Sequence, residues 1–158
     1  MRAHILLSLF AALASFCSAT FIVTTKVTLS YWRATFSSPP FNIEGADFLE
    51  DYYAIIDQIA NNVDVKVIVF DSAAPDFWIA HFDILHTVPV EFTSSWYWDN
   101  ITQLANLPVL TVAAIRGIAR GGGAEIAASL DVRFASKERG IFGHPEVGIG
   151  RSRNSQLY

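Results

Sequence analysis

Three contiguous glycines, Gly121-Gly122-Gly123, are followed closely by Glu125, and a second carboxylate, Glu146, sits in the run Gly143-His144-Pro145-Glu146. Successive glycines let a backbone come close to a ligand, and at a strand-to-helix junction their N–H groups point outward at the positive end of the helix. Such a nest suits an oxyanion, and carboxylates beside it suit general acid and base work. Plainer readings stand next to this one. The glycines serve equally as a tight turn or a close helix packing, Glu125 as a first-turn dipole partner, and Glu146 as a solvated loop charge.

Other chemistries lack their residues. The glycines are contiguous rather than spaced as in a dinucleotide fingerprint, and no Gly-Lys-Ser or Gly-Lys-Thr follows them. No Gly-x-Ser-x-Gly occurs, so the serine-nucleophile elbow is missing. His4, His81, His86 and His144 lack metal-ligand spacing, and a single cysteine, Cys17, excludes a disulfide framework and a multi-cysteine zinc site. No metal and no separate cofactor are expected.

These groups have to be positioned by strands and helices. Residues 26–36 alternate and are rich in β-branched and aromatic types, which predicts a half-buried strand. Phe48, Tyr52, Ile56, Ile59 and Val63 recur at helical steps and predict a helix with one apolar stripe. Residues 65–70 and 109–115 are β-branched runs of the kind buried on both faces of a sheet, with a third short strand over 131–135. Trp98, Ile101 and Ala105 predict a helix from Ser94 or Ser95 to Asn106, opened by Trp96-Tyr97-Trp98 as core or pocket wall. Ala124 to Leu130 forms another helix, while 77–89 and 143–146 read as loop. Strands alternating with helices predict an α/β fold with parallel neighbours, and no internal repeat is visible. The sequon Asn100-Ile101-Thr102 falls inside a helix.

The chain has 158 residues, 52% of them hydrophobic and 16% charged, which is one domain's worth of core-forming polypeptide. A net charge of −4 leaves no basic footprint for nucleic acid. Part of the hydrophobicity is local. Arg2, the apolar run over 5–16 and the small residues Cys17-Ser18-Ala19 read as a secretory leader cut before Thr20. A membrane anchor continuing through Phe21-Ile22-Val23, or a misplaced gene start, are the alternatives. A genuine leader implies the secretory pathway or secretion; the alternative is an intracellular protein of the cytosol, mitochondrion or peroxisome.

The order of these motifs resembles the crotonase family of enoyl-CoA hydratases and isomerases. The resemblance rests on 107–117, on Ala119-Arg120-Gly121-Gly122-Gly123-Ala124-Glu125-Ile126-Ala127, on Asp131-Val132-Arg133-Phe134-Ala135-Ser136, and on 142–150. Upstream, 67–72 and Phe77-Trp78-Ile79-Ala80-His81-Phe82-Asp83-Ile84 look like that family's strand and oxyanion loop. It implies a ββα spiral that binds an acyl-CoA thioester, coenzyme A being part of the substrate, and polarises its carbonyl between two backbone N–H groups.

Carried over position by position, the donors are Phe82 and Gly122 and the acid/base pair is Glu125 and Glu146. Homotrimers or hexamers are the family's assemblies. Three departures accompany the likeness. His81 stands where the loop usually has glycine, so a positive φ there would be strained. His144 stands where glutamine is frequent. Residues 151–158 diverge from the family's continuation, which predicts a crotonase-like domain over 20–150 that is incomplete at its C-terminal side. The alternative function is a non-catalytic remnant or gene-model fragment.

Overall fold

The computed structural model describes residues 20–86 and 94–148; the expected leader over 1–19 and divergent tail over 151–158 lie outside them. The first strand expectation is corrected. Instead of one strand over 26–36, β1 (Ile22–Lys26) and β2 (Tyr31–Phe36) form an antiparallel pair. The turn between them closes because the Thr28 hydroxyl accepts the Tyr31 N–H at 3.0 Å while the Thr28 N–H donates to Tyr31 O at 3.0 Å. A side chain that satisfies the backbone locally competes with strand continuation.

Helix α1 (Ala46–Ala60) buries Phe48, Leu49, Tyr52, Tyr53, Ile55, Ile56 and Ile59. Val63, expected on this stripe, lies beyond the helix end and is 85% exposed. Strand β3 (Val67–Ser72) starts two residues later than the apolar run does. Helix α2 (Ser94–Ala105) and strand β5 (Leu110–Ile115) lie where expected, but β5 is not buried on both faces, since Leu110 is exposed, and α2 buries Tyr97, Ile101 and Leu104 while Ala105 is exposed.

Three short strands escaped the periodicity. These are β4 (Phe77–Ile79), within the expected loop over 77–89, then β6 (Ile118–Arg120) and β8 (Ile141–Gly143). Three residues are too few for a period of two to register. Helix α3 (Gly122–Ser129) begins two residues before Ala124, strand β7 (Val132–Ala135) stands as expected, and a four-residue turn of helix, α4 (Pro145–Gly148), replaces part of the last loop.

With these strands counted, the chain repeats structurally although its sequence does not. Three times it adds one strand to a five-stranded sheet, one strand to a three-stranded sheet, and then a helix: β3-β4-α2, β5-β6-α3 and β7-β8-α4. The large sheet runs β1-β2-β3-β5-β7 and is parallel from β2 onward; the small one runs β4-β6-β8 and is wholly parallel. This is a spiral of ββα units, as the family resemblance implies.

Helix α1 packs on the large sheet through aromatic contacts. Phe36 meets Phe48 at 5.3 Å, Phe70 at 6.2 Å and Trp78 at 5.0 Å between ring centroids. The Trp78 contact joins the two sheets, since Phe36 belongs to β2 and Trp78 to β4. Edge-to-face geometry of this kind adds about 0.5–1.5 kcal/mol per pair to the burial itself.

Candidate active site

The small sheet organises the chemistry. Its three strands are parallel, so their C-terminal ends lie on one side, and each end leads into a segment singled out by sequence. After β4 comes the loop carrying Phe82; after β6 come the glycines, Gly122 and Glu125; after β8 come His144 and the α4 turn containing Glu146. In open parallel sheets the carboxyl ends of strands are where ligands bind, because loops and helix N-termini converge there. The β6 segment is central, with β4 and β8 on its two sides.

At the start of α3, Gly121 has φ 52°, a left-handed conformation in which glycine carries no Cβ penalty. Its carbonyl accepts the N–H groups of Ala124 at 2.9 Å and Glu125 at 3.0 Å, and its own N–H donates to Gly143 O at 3.0 Å, tying the nest to β8. The Gly122 N–H, at the first helical position, donates to no backbone carbonyl among the described residues. Glu125 is only 6% exposed. At the far end of α3 the Arg133 guanidinium donates to Ala127 O and Ala128 O, the cation that a helix C-terminus favours.

The Phe82 loop is templated by residues 41–45, which sequence reading treated as a plain connection. Ala80 N–H donates to Phe41 O at 3.1 Å, Glu44 N–H to His81 O at 3.0 Å, and Asp83 N–H to Glu44 O at 2.9 Å. These last two bonds form an isolated parallel bridge between Glu44 and Phe82. The bridge uses the residues on either side of Phe82, so the Phe82 N–H faces away from Glu44's main chain and donates to no backbone carbonyl among the described residues.

The expected strain at His81 is absent. Asn42 is the non-glycine residue at positive φ among the described residues, at 51°. His81 is exposed, and its Nδ1–H donates to Phe82 O at 2.6 Å; a carbonyl only accepts, which fixes the tautomer. Asn42 is the residue that sequence reasoning missed. Fully buried, it donates from Nδ2 to Ser72 Oγ at 2.8 Å and Trp78 O at 3.0 Å, and accepts the Ser38 N–H at 2.8 Å. Asparagine tolerates positive φ better than most residues.

Glu44 is the other unforeseen group. It is fully buried, and a Cβ placed on Gly122 would lie 1.6 Å from its Oε2. Gly122 therefore leaves the space that this carboxylate occupies. Tyr97 of α2, one of the expected aromatic wall residues, is 4% exposed; burial pushes its phenol well above the ordinary range, helped by the nearby Glu44 and Glu125 carboxylates. Tyr97, Glu44 and Glu125 thus share one buried neighbourhood behind the nest.

Beside α3 a cleft of 410 Å³ is lined by Ala124, Ala128, Arg133, Phe142, Gly143 and His144. That volume lies within the range of small-molecule sites. Among the described residues no three His, Cys, Asp or Glu side chains are grouped as a metal site, and no helix is long and apolar enough to cross a membrane.

Comparison with known proteins agrees with this fold. The family model described as enoyl-CoA hydratase/isomerase matches residues 32–156. A short-chain-enoyl-CoA hydratase of Clostridium acetobutylicum is 32% identical over 114 residues, covering 69% of this chain and 43% of that protein. A candidate enoyl-CoA hydratase structure from Streptomyces avermitilis superposes with a TM-score of 0.73 at 34% identity, over 82% of this chain and 49% of that one. An enoyl-CoA hydratase structure from Geobacillus kaustophilus gives 0.76 at 26% identity, over 87% and 53%. The chain spans about half the length of these relatives.

Proposed function

This chain belongs to the enoyl-CoA hydratase/isomerase family, and from that premise we propose that it binds an acyl-CoA thioester and adds water across an enoyl double bond. The observation that supports the reading is that the segments carrying Phe82, Gly122, Glu125 and Glu146 follow the C-terminal ends of three adjacent parallel strands.

The scheme follows from the charges that move. The thioester carbonyl oxygen accepts the N–H groups of Phe82 and Gly122. As the water oxygen bonds to the β-carbon, the double-bond pair moves toward the α-carbon and negative charge gathers on that carbonyl oxygen. Donors preset for that charge are worth about 3–4 kcal/mol each in comparable sites. One of Glu125 and Glu146, as carboxylate, takes the proton released by the water; the other, protonated, delivers a proton to the α-carbon. The enolate collapses to the saturated 3-hydroxyacyl thioester, and the two glutamates end with their protonation states exchanged.

Hydration of crotonyl-CoA by the purified chain, followed by loss of enoyl absorbance, tests this. Turnover is the expected result. A folded chain that neither binds nor hydrates the thioester overturns the hydratase reading and supports a non-catalytic member of the family.

A further inference from the structure

Among the described residues, two buried acidic groups stand outside that scheme. Asp71 is ion-paired with Arg33 on the neighbouring strand, which accounts for it. Glu44 is different: it lies in the connection before α1, is fully buried, and touches both segments that carry the oxyanion donors.

We propose that Glu44 is a positioning residue, holding the N–H groups of Phe82 and Gly122 at a fixed distance from each other. The inference rests on the oxyanion-hole reading above. Through its main chain Glu44 grips the Phe82 loop on both sides, accepting from Asp83 N–H at 2.9 Å and donating to His81 O at 3.0 Å. That grip leaves the Phe82 N–H directed away from Glu44. Through its side chain it fills the volume over Gly122, with Oε2 at 1.6 Å, Cδ at 2.6 Å and Oε1 at 3.1 Å from where a Cβ would stand. One residue thereby contacts one donor segment through backbone hydrogen bonds and the other by side-chain packing.

The two donors come from different strands, β4 and β6, and β4 is only three residues long with a register shift in its pairing to β6. The ladder between them is too short and irregular to fix the loop beyond it. A group spanning both loops supplies what the ladder does not, and a misplacement of about 1 Å in such a site can lower turnover about a hundredfold. Taking a carboxylate out of water is unfavourable, so filling this volume with Glu is not a neutral choice of packing residue. Its charge also acts, after burial itself, to push up the phenols of Tyr52 and Tyr53 of α1 and Tyr97 of α2.

The test uses the full chain and two variants, Glu44→Ala and the near-isosteric Glu44→Gln. Backbone amide resonances and hydrogen exchange are read at Phe82 and Gly122, together with kcat and KM for crotonyl-CoA. The expected result for Glu44→Ala is displaced, faster-exchanging amides at both positions and a kcat lowered at least about tenfold, with KM within about twofold. Glu44→Gln restores most of both. A second arm covers the case in which Glu44→Ala does not fold. Gly122→Ala is expected to displace the Phe82 amide when Glu44 is present, and much less when combined with Glu44→Ser.

An active chain whose Glu44→Ala variant keeps its kcat and both amides overturns the inference and leaves the hydratase reading standing. A wild-type chain without turnover, in which both amides still respond to Glu44→Ala, overturns the hydratase reading and keeps the positioning role. Glu44→Gln behaving like Glu44→Ala overturns the role assigned to shape.

Discussion

Asn42 donates its side-chain amide to Trp78 O at 3.0 Å, from a residue held at φ 51°. This bond fastens the connection before α1 to β4, the strand that leads into the Phe82 loop, and its companion to Ser72 Oγ fastens it to the end of β3. Asn42→Asp keeps the shape and the acceptor that receives the Ser38 N–H, but replaces the donor with a second carboxylate oxygen facing Trp78 O. Two lost buried hydrogen bonds and a buried charge predict a loss of about 3 kcal/mol or more. Asn42→Gly, which keeps the backbone conformation, should fall less, by about 2 kcal/mol. Urea denaturation of the three proteins checks the order.

Glu125 and Glu146 lie on the segments that follow the adjacent strands β6 and β8, and in the proposed reaction each handles one proton. Glu125→Gln and Glu146→Gln are each expected to lower kcat by at least about a hundredfold with little change in KM, since general acid–base groups contribute about 10²–10⁴. The double variant should be scarcely slower than either single one, because residues acting as a unit are not additive. Stopped-assay hydration kinetics, with α-proton exchange followed in parallel, separate the two roles. If neither substitution alters either rate, the pair is not the acid and base.

The helices and the large sheet were legible because their patterns are long. The stripe from Phe48 to Ile59 buries what its period says it buries, and the run around Val67–Phe70 is a strand as expected, although Ile68 and Phe70 are buried while Val67 and Val69 are only half-buried. The small sheet was not, since β4, β6 and β8 have three residues each and announce themselves only through partners far away in sequence. Of the site, the glycines and Glu125 were legible, for only glycine fits φ 52° easily at a helix start. Asn42 and Glu44 were not. Their meaning comes from Trp78, His81 and Gly122, which no local pattern connects to residues 42–44.

Tyr52, Tyr53 and Tyr97 form a buried group whose phenols are all pushed up, first by burial and then by the Glu44 carboxylate. A group whose native pKa lies above its unfolded value contributes stability that is complete below the unfolded pKa and is lost as pH rises through the native one. Unfolded tyrosine ionises near 10. Stability should therefore fall above about pH 10, by about 1.4 kcal/mol per pH unit for each of the three until it ionises in the native state. The phenolate absorbance of these residues should appear together with loss of near-ultraviolet dichroism rather than before it. Early appearance would mean that the three phenols are solvated in the native chain.

Asp83 follows the proposed donor Phe82 and holds the turn beyond it. Oδ1 accepts the N–H groups of Leu85 at 2.9 Å and His86 at 3.2 Å, while Oδ2 pairs with the His86 ring at 2.7 Å. Partial burial works to raise its pKa, but the Leu85 N–H, the His86 ring and N–H, and the His86 charge outweigh it, so the net shift is downward. The linkage then has the opposite sign to that of the tyrosines. Asp83 contributes stability above the unfolded aspartate value of about 3.9, and that contribution is lost as pH falls through the lower native value. Asp83→Asn removes the ionisation while keeping one acceptor for the turn. Its urea midpoint should lie below that of the parent at pH 6, and the two midpoints should converge as pH is lowered through the carboxylate range. The hydration rate of the variant should follow the same course, because the turn that Asp83 closes is the one from which the Phe82 N–H is presented; a constant gap in midpoint at every pH would show that the carboxylate's charge has no part in holding it.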